Sequence, residues 1–136
     1  MVDPIYPPSA PQPLTSVPRA MMRGDTFSFP IAVKTATGAP YNLTGATLWS
    51  TVKRAWAEPD SLALARMKTP SSGIVVTDAV NGKAIVTMPA AATIDMGDGP
   101  VTLVYDVQLR AADGVTITTI EIGTIECWPD ATRTII

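Results

Sequence analysis

The chain has 136 residues, ten Lys and Arg against twelve Asp and Glu, a net charge of −2, no histidine and one cysteine. So slight a negative balance, with no basic stripe between aromatics, argues against nucleic acid as a partner. The missing histidine removes the commonest general base and metal ligand, and a lone cysteine excludes an internal disulfide or a cysteine metal cluster.

Charged residues make up 16% of the chain, low against the usual ~25%. A surface this poor in charge is expected to be covered in part by partners. A single domain of this size can bury a stable core without staples.

Residues 1–22, "MVDPIYPPSAPQPLTSVPRAMM", carry six of the thirteen prolines. Proline fixes φ and removes a backbone donor, so the segment predicts an extended arm. Apolar side chains are spaced along it. Ile5, Tyr6, Leu14, Val17, Met21 and Met22 are the candidate anchors for a partner. An arm of this kind can hydrogen-bond to a neighbour's sheet edge and seat alternate side chains in pockets. The remainder, 23–136, is expected to be a domain that folds without the arm.

From Asp25 the pattern turns to period two. Asp25–Lys34 alternates Phe27, Phe29, Ile31 and Val33 on one face, and Pro30 marks an edge strand or a break. Ala46–Arg54 predicts a second strand, with Leu48 and Val52 on one side and Trp49 on the other. Residues 55–72 are open between a short helical turn and a strand near Leu62–Lys68. Gly73–Asp78 and Lys83–Met88 predict a hairpin across Asn81-Gly82. Pro89–Gly99 predicts one helical turn. Pro100–Arg110 alternates cleanly, and Asp113-Gly114 turns it into Val115–Trp128, with a bend expected at Gly123.

Seven or so short strands with turn signals every eight to twelve residues predict an all-β fold. The expected form is an immunoglobulin-like antiparallel β-sandwich behind the Pro-rich arm. The Pro-rich N-terminal residues lack the basic and apolar regions of a signal peptide, so none is expected, and no apolar run approaches the ~18 residues of a membrane helix.

Few of the candidate sites point to chemistry. Arg23-Gly24-Asp25 reads as a turn into the first strand. Asn42-Leu43-Thr44-Gly45 reads as side-chain-to-backbone punctuation before a strand. Asp95–Gly99 supplies too few oxygens for a calcium loop. Cys127 reads as a small buried hydrophobe. No nucleophile elbow or phosphate loop occurs, so no enzyme, cofactor or metal is expected. Trp56, in the polar loop "RAWAEPD", is a candidate interface anchor, and with Trp49 and Trp128 it could line a sugar groove. The terminal Ile135 and Ile136 are further candidate partner contacts.

The stretches "RGDTFSFPIAV", "GAPYNLTGATLWSTVKR", "NGKAIVTMPAAAT" and "YDVQLRAADGVTITTIEIGTIECWPDATR" together span most of Arg23–Arg133. In this order they resemble the N-terminal domain of the baseplate upper protein of tailed bacteriophages. The resemblance implies an immunoglobulin-like sandwich that docks on other virion proteins. The expectation is a non-enzymatic virion structural protein, made in the bacterial host cytoplasm. It would be a tail, baseplate or neck accessory present in many symmetry-related copies or as a homo-oligomer, without nucleic acid or membrane as partner. A capsid decoration protein and a carbohydrate-binding module are the alternatives.

Overall fold

The computed structural model describes residue 11 and residues 15–70, 72–94 and 99–129. Among them the chain forms eight strands: β1 (Thr15–Met22), β2 (Phe27–Ala32), β3 (Thr47–Lys53), β4 (Ala65–Lys68), β5 (Ile74–Asp78), β6 (Lys83–Met88), β7 (Val101–Arg110) and β8 (Ile117–Trp128). Short 3-10 turns at Asp60–Leu62 and Ala90–Ala92 are its only helical pieces among these residues.

Two sheets result, one ordered β1-β8-β7-β3-β4 and the other β2-β6-β5. The order β2-β6-β5 matches strands B, E and D of an immunoglobulin domain, and β3, β7 and β8 match C, F and G. The fold is therefore an immunoglobulin-like β-sandwich, as the turn spacing predicts.

Alternation builds the core. Phe29 and Ile31 of β2, Leu48 and Val52 of β3, Val86 and Met88 of β6, and Leu103, Val107 and Leu109 of β7 all point between the sheets and are buried. Cys127 is buried with them, as expected of a small hydrophobe. The Asn42 side chain accepts the Thr44 N–H at 2.9 Å, and Leu43 drops into the core, so this knot is a turn as expected. The Asn81-Gly82 turn closes the β5–β6 hairpin. Gly82 has φ +71°, and a Cβ there would strike the carbonyls of Val33 and Tyr41.

Three expectations need correction. Residues 15–22 are not an arm. They form β1, which pairs with β8 of the same domain in parallel, Thr15 opposite Glu121 through Met22 opposite Trp128. Proline counting hid this strand. Pro18 is tolerated because β1 is an edge strand, where a missing donor costs little. The sandwich therefore begins at Thr15 rather than Arg23, and Pro11 also touches it through a bridge to Thr35. Met21 is 6% exposed and packs in the core of its own domain.

The sandwich is also not wholly antiparallel, since the β1–β8 pair is parallel. Finally, the irregularity in β8 falls not at Gly123 but at Ile120. Val107 faces Glu121, Gln108 faces Thr119, and Ile120 is the extra residue.

Candidate functional site

That bulge re-aims side chains. Without it, Ile120 and Glu121 would point to opposite faces. With it, both are buried. The Glu121 carboxylate accepts the Tyr105 hydroxyl at 2.6 Å and Arg19 Nη2 at 3.0 Å, while Arg19 Nε donates to the Tyr105 oxygen at 2.9 Å. The Arg19 guanidinium lies 4.0 Å over the Phe29 ring. Burial and the bond to Glu121 push the Tyr105 hydroxyl well above its usual pKa. The Arg19 Nε and Nη2 groups and the Tyr105 hydroxyl each have an acceptor here, and a largely buried charge needs such partners. The cluster clamps β1 to the body and is structural.

The outer face of the three-stranded sheet is different. Pro30, Ile85 and Val75 lie side by side in register across β2, β6 and β5. Val75 is 52% exposed and Ile85 40%. The next row holds Ser28 and Thr87, hydrogen-bonded at 2.9 Å. Charge enters only at the hairpin end, with Lys83 and Asp78. This face is apolar at its centre and carries charge only at the hairpin end.

Sheet edges offer less. β2 carries Pro30, β1 carries Pro18, β4 is four residues long with Arg66 and Lys68, and β5 has a register shift after Val76. Proline, short charged strands and bulges are the usual devices that block edge-to-edge pairing.

The outer face of the five-stranded sheet carries a third feature. The β3–β4 loop turns at Ala55–Glu58 and puts Trp56 at its tip, 55% exposed. With Thr51, Lys53, Asp60, Asp106 and Gln108, Trp56 lines a small pocket of about 150 Å³ that also includes Val104. Lys53 pairs with Asp60 at 2.7 Å, and its hydrogen bond and charge hold the Asp60 carboxyl below its ordinary range. Burial raises the pKa of Asp106. A wider trough beside β4 mixes apolar lining from Leu64, Met67 and Ala90–Ala92 with Thr26, Arg66, Ser72 and Thr87, and among the described residues no aromatic side chain lines it.

The predicted contact residues scatter. Val17 and Met21 face inward on β1. Met22 faces outward, 41% exposed, beside Trp128 at 44%. Ile5, Tyr6, Leu14, Ile135 and Ile136 lie outside the described residues, as does most of the Asp95–Gly99 loop. Trp49 is flanked by Lys68 and Arg110 at 5.4 and 5.1 Å and is not among the residues that line the Trp56 pocket. Arg23-Gly24-Asp25 forms the turn from β1 to β2, with the Gly24 N–H bonded to the buried Thr93 hydroxyl at 2.9 Å. Among the described residues no group of three or more His, Cys, Asp or Glu could hold a metal.

Sequence reasoning missed Val75 and Ile85. The signal was there: "GIVVTD" and "KAIVTM" are apolar at both phases of the alternation, so one apolar residue of each strand must face out.

No family model matches the chain, and no curated protein does. Among solved structures, the PapD-like domain 7 of human CEP192 is 12% identical. The match covers 97% of this chain and 92% of that one, with a TM-score of 0.38. AggA, the major subunit of aggregative adherence fimbriae type I from Escherichia coli, is 14% identical, with 89% and 92% covered and a TM-score of 0.30. The fold assignment rests on the strand order itself.

Proposed function

We propose that the chain is a non-enzymatic structural subunit of a tailed-phage virion, docking on neighbouring virion proteins as a tail, baseplate or neck accessory. The observation that carries the docking mode is the uncharged row Pro30–Ile85–Val75 on the outer face of the three-stranded sheet. Exposed apolar rows on a rigid sheet are what a face-to-face contact buries.

The blunted edges favour face docking over strand addition between copies of this chain. Residues 1–14 remain the candidate arm, with Ile5, Tyr6 and Leu14 as its anchors. Met22, Ile135 and Ile136 are secondary contacts, and Trp56 stands over the five-stranded sheet, away from this docking face. The virion assignment itself leans on the ordered resemblance of Arg23–Arg133 to the baseplate upper protein N-terminal domain. Repetition of one weak contact around a symmetric particle would give avidity.

The test is direct. Particles of the phage that encodes the chain are purified and analysed by mass spectrometry, with an epitope-tagged copy located by immunogold. The expected result is a stoichiometric virion component at the tail or neck. Gold on the head would favour the capsid-decoration alternative. Absence from washed particles would end the reading.

A further inference from the structure

The two outer faces of a sandwich point in opposite directions. A subunit seated by its three-stranded sheet turns its five-stranded sheet towards the surroundings, and that is the face with the Trp56 pocket.

From its lining, we infer that this pocket is a binding subsite for a single neutral sugar ring. At about 150 Å³ it is far smaller than the roughly 300–1,000 Å³ of a drug-sized site, and it suits one ring. An exposed indole at the tip of the loop supplies an apolar face for the C–H side of a pyranose. Asp106, Gln108 and Thr51 stand on adjacent strands, Thr51 directly opposite Asp106 and Gln108 two residues along β7. They supply a carboxylate, an amide and a hydroxyl, the mixed acceptors and donors that vicinal hydroxyl groups need.

Charge narrows the ligand. Lys53 and Asp60 neutralise one another at 2.7 Å, and Arg66 stands 3.8 Å from Asp60 on the solvent side. Among the described residues Asp106 makes no ion pair. Lys53 and Arg66 balance Asp60 and Asp106, so the pocket carries no net charge and offers a uronate, sialate or sugar phosphate no cation that a carboxylate does not already hold. The partial burial of Asp106 fits an acceptor whose water is replaced by ligand hydroxyls. A sheet face also holds these groups more rigidly than loops would, and only Trp56 and Asp60 come from the loop.

The experiment is a titration of the ¹⁵N-labelled full chain, followed by NMR, with glucose, galactose, N-acetylglucosamine, glucuronate and choline as probes. Saturable shifts of the Trp56 indole N–H and of the Asp106 and Gln108 amides are expected with at least one neutral sugar, with a dissociation constant on the order of 1 mM. Glucuronate should bind at least tenfold more weakly. Trp56→Ala and Asp106→Asn should each lose the response by tenfold or more while the core methyl signals stay put. A response to choline alone or a preference for glucuronate would overturn the assignment. So would shifts that survive Trp56→Ala, or no saturable shift with any of the three neutral sugars.

Discussion

Arg19 reaches 3.0 Å to the carboxylate of Glu121, and these two residues lie 102 positions apart. Their contact joins the segment that looks least foldable, the proline-studded N-terminus, to the last strand of the sandwich. Only 18% of the Arg19 side chain and 11% of the Glu121 side chain is exposed, so neither charge is well hydrated without the other.

Removing one partner should therefore strand the other. Arg19→Ala or Glu121→Ala is expected to destabilise the domain by about 3 kcal/mol, the scale of a broken, largely buried pair. Urea unfolding checks this. Glu121→Gln keeps an acceptor and should cost clearly less. An Arg19→Ala protein with an unchanged urea midpoint would mean that the clamp is not made.

Gly123 is the clearance that lets the clamp form. A Cβ there would collide with the Val17 carbonyl and come within 2.9 Å of the Tyr105 ring. Gly123→Ala is expected to lower stability by at least 2 kcal/mol, in the range of overpacking, and to raise hydrogen exchange along β1 more than along β5 or β6. Amide exchange measured strand by strand distinguishes this from a general loss of stability.

Deletions separate the arm from the domain. Removing residues 1–14 should leave a cooperatively folded protein. Removing 1–22 takes away β1, Met21 and Arg19, and leaves Glu121 buried without its cation. That fragment is expected to unfold at much lower urea or to be molten. Equal midpoints for the two truncations would restore the boundary at Arg23 that the sequence suggests.

Asp106 predicts a pH effect of defined sign. Burial raises its folded pKa above the unfolded value near 4, so the native state holds the proton more tightly. Stability should therefore fall as pH rises from the unfolded pKa through the folded one. Asp106→Asn removes this loss and should be more stable than wild type at pH 7, with the difference vanishing near pH 3. Asp113 has the opposite sign. Hydrogen bonds from Thr116 and Val115 hold it down to about 2, so its contribution is present above pH 4 and lost towards pH 2. Thermal melts of wild type, Asp106→Asn and Asp113→Asn across pH 2–7 test the pair.

The strands β2, β3 and β7 are legible in the sequence because each buries one face and period two records that directly, while β5 and β6, apolar at both phases, are legible from the Asn81-Gly82 turn between them. β1 is not, because Pro18 breaks its propensity while a parallel neighbour on one side still supplies enough pairing. The burial of Glu121 is equally hidden, since it depends on one extra residue, Ile120, in a long β-branched run. The prediction of Trp56 as exposed came from its polar loop. Its pocket-mates Thr51, Asp106 and Gln108 come together only through the pairing of β3 with β7, a contact across some fifty residues that no local pattern encodes.

The central claim is that the outer face of the three-stranded sheet is the docking face. It is tested most directly by comparing incorporation of wild type and the Val75→Lys/Ile85→Lys double variant into phage particles, with quantitative mass spectrometry as readout. Both positions are exposed, so the variant should keep the wild-type unfolding free energy, read by urea titration, to within about 0.5 kcal/mol. The account predicts a variant that is folded and soluble yet depleted at least tenfold from purified particles. A folded variant incorporated at the wild-type level would contradict it.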